Sequence, residues 1–162
     1  MSNIFERTKE ELLGKGYSLE RYDFQRPWGG FLVINEEHTK QFIGEYFPSF
    51  EVEKLTKNSK VSPKILIVEP KKRLSWQYHH RRSEVWIVVD GSVGVVRSDT
   101  DEEGEMESYA VGEVITLEKG ERHRLIGLDD WGTVAEIWQH TDPSHPSDED
   151  DIIRLQDDYK RT

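Results

Sequence analysis

Four side chains with metal-binding chemistry lie in two separate segments of the sequence. Gln77, His79 and Glu84 fall within eight residues of the segment 74–91. Side chains alternate between the faces of an extended strand, so Gln77 and His79 are expected to point to the same side. The polar residues 80–83 have the length of a hairpin turn, which predicts that Glu84 lies across the ladder from His79. An amide oxygen, an imidazole and a carboxylate on one surface can bind a divalent metal ion.

A fourth ligand is predicted from the segment 112–127, where His123 comes just after a glycine-containing turn between two strands. His80 points away from the site on an ideal strand, but it replaces His79 if the first turn begins one residue later. A site with nitrogen and oxygen ligands and no cysteine leaves positions for water or substrate, as catalytic zinc sites do. Manganese and iron(II) fit the same ligands. The alternative is a polar cluster that is only hydrogen-bonded.

The two segments resemble the two sequence motifs of the cupin family. The first has the spacing Q-x-H-x4-E-x6-G, with Gln77 in place of the family's first histidine. The second has G-x7-G-x2-H, with Glu118 in place of a proline and Gly127 in place of an asparagine. The resemblance implies an all-β fold, the cupin double-stranded β-helix or jelly-roll barrel. It says little about function, because cupins host many chemistries.

Short apolar segments separated by turns also predict an all-β sandwich or barrel. Residues 3–14 predict a short amphipathic helix, and residues 36–63 a long loop or an extra hairpin. The expected organisation is an N-terminal helical extension over residues 1–25 and a single cupin domain over residues 26–162. The predicted strands are 31–35, 64–69, 75–79, 85–89, 92–97, 105–110, 114–117, 123–126 and 133–139. The apolar residues Ile152, Ile153 and Leu155 predict that the C-terminal tail docks back onto the barrel.

Composition excludes several classes of protein. The 162 residues carry a net charge of −10, which argues against nucleic acid as a partner but leaves room for a local basic pocket that binds a small anion. There is no cysteine, which excludes disulfides and thiolate zinc sites. No apolar run approaches membrane-spanning length, and the N-terminus lacks a signal-peptide pattern. We therefore expect a cytoplasmic protein without membrane contact.

Three motifs, at residues 26–29, 74–89 and 149–159, resemble those of type II mannose-6-phosphate isomerases and occur in the same order. Arg81 stands where that family has the third histidine of a triple, and Val85 where it has a histidine after the metal-binding glutamate. The resemblance implies a metal-dependent isomerase that interconverts mannose 6-phosphate and fructose 6-phosphate. It implies that one divalent ion, with zinc favoured, is held by Gln77, His79, Glu84 and His123. By analogy with other cupins, a homodimer is expected.

The resemblance also implies roles for charged residues. Arg154 is the candidate cation near the reaction intermediate or the phosphate, and Glu136 and Lys64 are candidates for proton transfer. Glu136 is offset by one residue from the family's glutamate, which could turn it away from the metal. The candidates for substrate or phosphate contact are Arg26, Arg81 and Arg82, with Lys64 as a further one. Two alternatives remain: an isomerase of another phosphosugar such as glucose 6-phosphate, and a non-catalytic cupin that binds a sugar or a metal.

Overall fold

The computed structural model describes residues 3–51, 61–140, 144–145, 147–148 and 150–158. Within these residues, the strands form one six-stranded and one five-stranded antiparallel sheet. Side chains from both sheets meet in a shared apolar core, which confirms the predicted all-β class. No helix in the described part of the chain combines the length and the apolarity needed to cross a bilayer.

The helices are α1 (Ile4–Gly14) and α2 (Thr39–Tyr46), and a 3₁₀ turn at Glu36–His38 precedes α2. The strands are β1 (Leu19–Arg26), β2 (Gly29–Ile34), β3 (Val61–Val68), β4 (Trp76–Tyr78), β5 (Arg82–Asp90), β6 (Ser92–Ser98), β7 (Glu107–Ala110), β8 (Val114–Leu117), β9 (Arg122–Gly127), β10 (Gly132–His140) and β11 (Ile153–Gln156). Across the described residues, the sheet orders are β1-β2-β3-β10-β5-β8 and β11-β4-β9-β6-β7.

Strand β5 shows how the sequence builds two cores. Trp86 and Val88 belong to the core between the sheets, whereas Val85 packs with Ile87 and Val89 on the opposite face. This alternation is the period-2 pattern of a strand with both faces covered. Glu84 shares the inward face of the strand with Trp86, which carries its carboxylate into the barrel.

The outer face of the six-stranded sheet is covered by helices. The N-terminal helix was predicted correctly: it begins after Asn3, whose side chain accepts a hydrogen bond of 2.9 Å from the Glu6 amide. The prediction of a loop or hairpin at residues 36–63 was wrong where α2 forms, and residues 52–60 lie outside the described residues. Phe42 and Ile43 are fully buried. The apolar residues of this segment, which do not alternate as in a strand, form the buried stripe of a helix.

Both ends of the described chain add a strand that was not predicted. β1 pairs with β2 at one edge of the six-stranded sheet. β11 pairs with β4, which confirms that the C-terminal tail docks on the barrel. The docking combines backbone pairing with partial burial of Ile152 and Leu155, whereas Ile153 remains 38% exposed.

Gly127→Ala tests the close approach that fixes the end of β9. A Cβ at Gly127 would lie 2.0 Å from the carbonyl oxygen of Glu69, so the backbone must shift. We expect the free energy of unfolding to fall by about 1–3 kcal/mol in urea titrations. Gly44→Ala in α2 is the matched control: its Cβ meets nothing within 4 Å, and alanine favours the helix by about 0.5–1 kcal/mol. Equal stability of the two variants would contradict this packing.

Candidate metal centre and cavity

Each of the two motif segments passes from one sheet to the other. β4 lies in the five-stranded sheet and β5 in the six-stranded sheet, so residues 74–91 do not form the predicted hairpin. β8 and β9 are divided between the sheets in the same way. A short polar link fits a barrel corner as well as a hairpin turn, and the sequence pattern does not separate the two. The corners contact each other, since the Gly120 amide donates a hydrogen bond of 3.0 Å to the His79 carbonyl oxygen.

Three of the four predicted ligand side chains converge where these corners meet. Nε2 of His79 lies 3.2 Å from Oε2 of Glu84, and Nε2 of His123 lies 3.8 Å from the same oxygen. Each of these side chains is only 3% exposed. One possible ligand atom from each residue lies within 4.8 Å of the others. His80 is exposed and its ring packs edge-on against Tyr78, so His79 is the histidine in the cluster.

Gln77, the fourth predicted ligand, lies beside this cluster. It lines the same cavity as His79 and Glu84 and is 9% exposed. Its Cα is paired with that of His123 in the β4–β9 ladder. Directly opposed residues of a ladder place their side chains next to each other on one face. The amide of Gln77 is therefore a neighbour of the His123 imidazole.

Backbone carbonyls fix the tautomers of both imidazoles. Nδ1 of His79 lies 2.7 Å from the carbonyl oxygen of Asp151, and Nδ1 of His123 lies 3.1 Å from that of Glu121. A carbonyl oxygen only accepts hydrogen bonds, so each Nδ1 carries a proton, and the neutral form of either ring has its lone pair on Nε2. Both lone pairs are then available on the side facing Glu84, as in metal sites whose histidines donate their other N–H to a carbonyl.

The ionisation of the cluster also suits a cation. Burial lowers the pKa of His123 to about 4, against the attraction of Glu84, so this imidazole is neutral at neutral pH. Burial opposes ionisation of Glu84, but the charges of His123, His79 and Arg82 outweigh it and hold the pKa of Glu84 well below its usual range. At neutral pH, where His123 is neutral, the permanent cation among these partners is Arg82.

Arg82 lies against the cluster of His79, Glu84 and His123. We call this cluster the donor cluster, because its atoms can donate lone pairs to a metal ion. Its Nη2 is 3.1 Å from Nε2 of His79, and its Nε is 3.4 Å from Oε2 of Glu84. The guanidinium carbon lies 3.5 Å from the ring centroid of Trp138, in a stacked cation–π contact. Since arginine only donates hydrogen bonds, its contact with His79 agrees with a lone pair on Nε2.

The donor set fits a divalent metal ion. It comprises two imidazole nitrogens with available lone pairs, an ionised carboxylate oxygen and an adjacent amide. Acceptor atoms this close together in a buried site repel one another unless a positive charge lies nearby. The buried cluster of His79, Glu84 and His123 is thus compatible with one ion.

The donor cluster lines a cavity of about 110 Å³. Five of the other predicted site residues line it as well: Arg26, Lys64, Arg82, Glu136 and Arg154. Arg81 is not among the lining residues. Its Nη2 lies 3.4 Å from Oδ2 of Asp148 and its Nη1 lies 4.0 Å from Oδ1 of Asp151, so it faces the C-terminal segment.

Glu136 points into the cavity despite its offset in sequence. It is 4% exposed, and its two carboxyl oxygens accept hydrogen bonds from the indoles of Trp86, at 2.8 Å, and Trp138, at 2.7 Å. Burial, and next the charge of Glu84, raise the pKa of Glu136 to about 8, while Lys64 opposes this shift. A carboxyl group with a pKa close to neutral pH can both accept and return a proton.

Two further cations lie beside an aromatic ring on the cavity wall. The ammonium of Lys64 is 4.5 Å from the ring centroid of Phe31, and the guanidinium of Arg26 is 5.3 Å from it. Arg26 also forms an ion pair of 3.2 Å with Asp23. Arg154 is exposed on β11, where it is the ladder partner of Gln77. The cavity therefore has positive charge along its opening and a carboxyl group within.

Asp151 and Ser147 also contact the site, although no sequence pattern predicted them. Asp151 contacts His79 through its carbonyl oxygen, and Ser147 contacts Arg82. Although burial raises the pKa of Asp151, hydrogen bonds from Ser147 and from backbone amides bring it below its usual value. The acidic run at residues 148–151 was the available signal, but such runs are usually solvated.

Comparison with known proteins agrees with this architecture. The family model described as "Mannose-6-phosphate isomerase C-terminal" matches residues 35–157. The Xanthan biosynthesis protein XanB of Xanthomonas campestris pv. campestris (strain B100) is 31% identical over 137 residues, which is 85% of this chain and 23% of XanB. The chain therefore spans about a quarter of the length of the curated relatives it matches.

Similarity of fold extends to a solved structure. The capsular polysaccharide assembling protein CapF from Staphylococcus aureus superposes with a TM-score of 0.54 and 16% identity, covering 86% of this chain and 34% of CapF. A sugar phosphate isomerase of the cupin superfamily from Silicibacter pomeroyi DSS-3 overlaps in part, with a TM-score of 0.44 and 17% identity over 51% of this chain and 52% of that chain.

The cupin barrel predicted from the sequence is confirmed. With the family match over residues 35–157, the chain belongs to the mannose-6-phosphate isomerase C-terminal family of cupin domains.

Proposed function

We propose that the chain is a metal-dependent isomerase that interconverts aldose and ketose phosphates, with mannose 6-phosphate and fructose 6-phosphate as its substrates and zinc as its metal. The observation that carries the proposal is a single cavity lined by the His79–Glu84–His123 cluster, by the Glu136 carboxyl and by several cations. The family match supports the same class of reaction. Cytoplasmic location and a homodimer stay predictions.

Aldose–ketose isomerisation needs a group that removes the C2 proton and returns it at C1. Glu136 suits this role because its carboxyl lies inside the cavity and both of its oxygens are oriented by indole N–H groups. The ladder places Lys64 directly opposite Glu136, so the ammonium is the nearest candidate to move a proton between the sugar oxygens.

Negative charge develops on the sugar oxygens as the C2 proton leaves. Gln77, His79, Glu84 and His123 would hold a divalent ion, which would supply electrostatic stabilisation for that charge. Arg82 lies close enough to His79 and Glu84 to add a second positive charge on the same side. Burial strengthens both contributions, since the surrounding dielectric is low.

The phosphate needs a cationic anchor that holds the reacting carbons in place. Arg26 and Arg154 line the cavity with part of their surface exposed to solvent, which suits groups that meet the charged end of a substrate. We assign Arg26 and Arg154 to phosphate or substrate contact. Arg81, which is engaged by Asp148 and Asp151, is assigned to supporting the β4–β5 corner.

A second candidate function is a non-catalytic cupin that binds a sugar. The contact of Arg82 with His79 and Glu84 favours it, because a guanidinium partly compensates the donor cluster without a metal ion. Such a protein would bind phosphosugars without turning them over.

A coupled assay on a panel of phosphosugars, with zinc, manganese or iron(II) supplied, separates these functions. We expect turnover of mannose 6-phosphate and fructose 6-phosphate, and none by Glu84→Gln, which keeps the shape but loses the ionised ligand. Elemental analysis of the variant should show loss of the metal. Glu102→Gln, at an exposed position, is the control and should behave as wild type. If only another phosphosugar were turned over, that sugar would replace mannose 6-phosphate and fructose 6-phosphate as the proposed substrate. Binding of phosphosugars without turnover would favour the non-catalytic function.

Glu136→Gln should retain the metal and lose turnover. The amide fills the same space but cannot accept the C2 proton, so we expect kcat to fall by about 10²–10⁴. Exchange of the substrate's C2 hydrogen with solvent should fall in parallel, and metal content should match that of wild type. If a folded Glu136→Gln variant exchanged the substrate's C2 hydrogen at the wild-type rate, Glu136 would not be the group that transfers the proton.

Arg26→Gln should weaken binding of phosphosugars, because the substitution removes a cation from the cavity. We expect KM for the phosphosugar to rise several-fold and kcat to change little. Arg21→Gln is the matched control: its guanidinium lies 5.4 Å from the same Phe31 ring, but Arg21 does not line this cavity. Equal KM values for the two variants would count against an anchor at Arg26.

A further inference from the structure

Three residues near the C-terminus, Ser147, Asp148 and Asp151, pack against the β4–β5 corner that carries His79. We call these three residues the C-terminal clamp. Asp151 is 3% exposed and Ser147 is 7% exposed, so these two residues are buried although they lie close to the end of the described chain. The side chain of Asp148 is exposed. Its contacts divide into those of the Asp151 carboxylate, those of the Asp151 carbonyl and those with Arg82.

The Asp151 carboxylate binds the corner directly. Its Oδ1 accepts a hydrogen bond of 2.9 Å from the His80 amide, and its Oδ2 accepts one of 2.9 Å from the Arg81 amide. The Ser147 hydroxyl donates a third, of 2.6 Å, to the same Oδ2. Hydrogen bonds from neutral donors to a buried carboxylate are stronger than neutral pairs. The two residues that follow His79 are thereby fixed in place.

The backbone of Asp151 reaches His79 itself. Its carbonyl oxygen accepts the hydrogen bond of 2.7 Å from Nδ1 of the ring. Because the side chain of Asp151 is fixed to the corner, its carbonyl is held at a set position relative to the imidazole. Asp151 therefore contacts both the corner, through its carboxylate, and the His79 ring, through its carbonyl oxygen.

The clamp also holds Arg82. The Nη1 atom of Arg82 donates hydrogen bonds to the Ser147 hydroxyl at 3.3 Å and to the Asp148 carbonyl oxygen at 3.2 Å. These contacts, with the stack on Trp138, set the position from which Arg82 meets His79 and Glu84. One short segment thus orients two of the groups at the donor cluster.

We propose that Asp151 is a positioning residue for His79: its carboxylate anchors the corner so that its carbonyl keeps the His79 lone pair on Nε2, directed into the cavity. The functional consequence rests on the metal site of the proposed function. In the other tautomer the Nε2 proton would lie between the Arg82 donors and the Glu84 carboxylate, and Nε2 would have no lone pair for a cation in the cavity.

Asp151→Asn tests the proposal with a minimal change of shape. The amide has one acceptor oxygen where the carboxylate has two, so one of the His80 and Arg81 amides loses its partner. Asp150→Asn is the matched control, with the same change of charge at an exposed neighbouring position. Ser147→Ala, which removes one donor to Asp151, is a milder second variant should Asp151→Asn fold poorly.

The first measurement is made without metal. Long-range ¹H–¹⁵N NMR of the imidazoles should report His79 as the Nδ1–H tautomer in wild type and in Asp150→Asn. We expect a mixture of tautomers in Asp151→Asn and a smaller shift in the same direction in Ser147→Ala. A pure Nδ1–H tautomer in all four folded proteins would overturn the role of Asp151.

The second measurement is zinc affinity, by competition with a chromophoric chelator. Loss of a group that orients a ligand commonly weakens metal binding 10- to 100-fold, and we expect a loss in this range for Asp151→Asn and little change for Asp150→Asn. If wild type binds zinc and the two variants bind it equally, the inference fails and the metal site stands. If wild type binds no ion, the metal site fails, and the NMR comparison still decides whether Asp151 orients His79.

Discussion

Three hydrogen-bond acceptors face one another in the interior of this barrel. The Nε2 atoms of His79 and His123 both lie within 3.8 Å of one carboxylate oxygen of Glu84, in a place that water hardly reaches. Lone pairs this close and this deeply buried are costly unless a cation lies among or beside them. Arg82 provides a positive charge from one side, and a metal ion with these ligands would provide it from the centre. The arrangement is thus compatible with a bound cation, whichever reaction it serves.

The fold makes this concentration of polar groups possible by separating it from the apolar cores. Along β5, Glu84 is followed on the same face by Trp86 and Val88, so one strand runs from the donor cluster into the core within five residues. Trp86 joins the two regions: its ring packs in the core, and its indole N–H lies 2.8 Å from Glu136 and 3.3 Å from Glu84. The outer face of the sheet is covered by α1 and α2, which take no part in the cavity.

The sequence allowed the barrel, most of its strands and the three clustered side chains of His79, Glu84 and His123 to be predicted, because strand alternation and ligand spacing are local patterns. It did not reveal that each motif crosses between sheets, since a short polar link has the same composition at a corner as in a hairpin. The different environments of Arg81 and Arg82 were not predictable either, because adjacent residues take opposite faces only once the strand begins. The role of Asp151 depends on a contact with a residue 72 positions away, which no local pattern encodes.

The C-terminal segment belongs to the site as much as to the fold. β11 pairs with β4, which places Arg154, Gln77 and His123 side by side across three neighbouring strands. Upstream of that strand, Asp151 fixes the corner next to His79, so one short segment borders the donor cluster on two sides. The family match also extends to residue 157 and therefore includes this segment. A barrel without the segment 147–156 would keep its apolar cores, whose members come from other elements, but it would lose the contacts that orient His79 and Arg82.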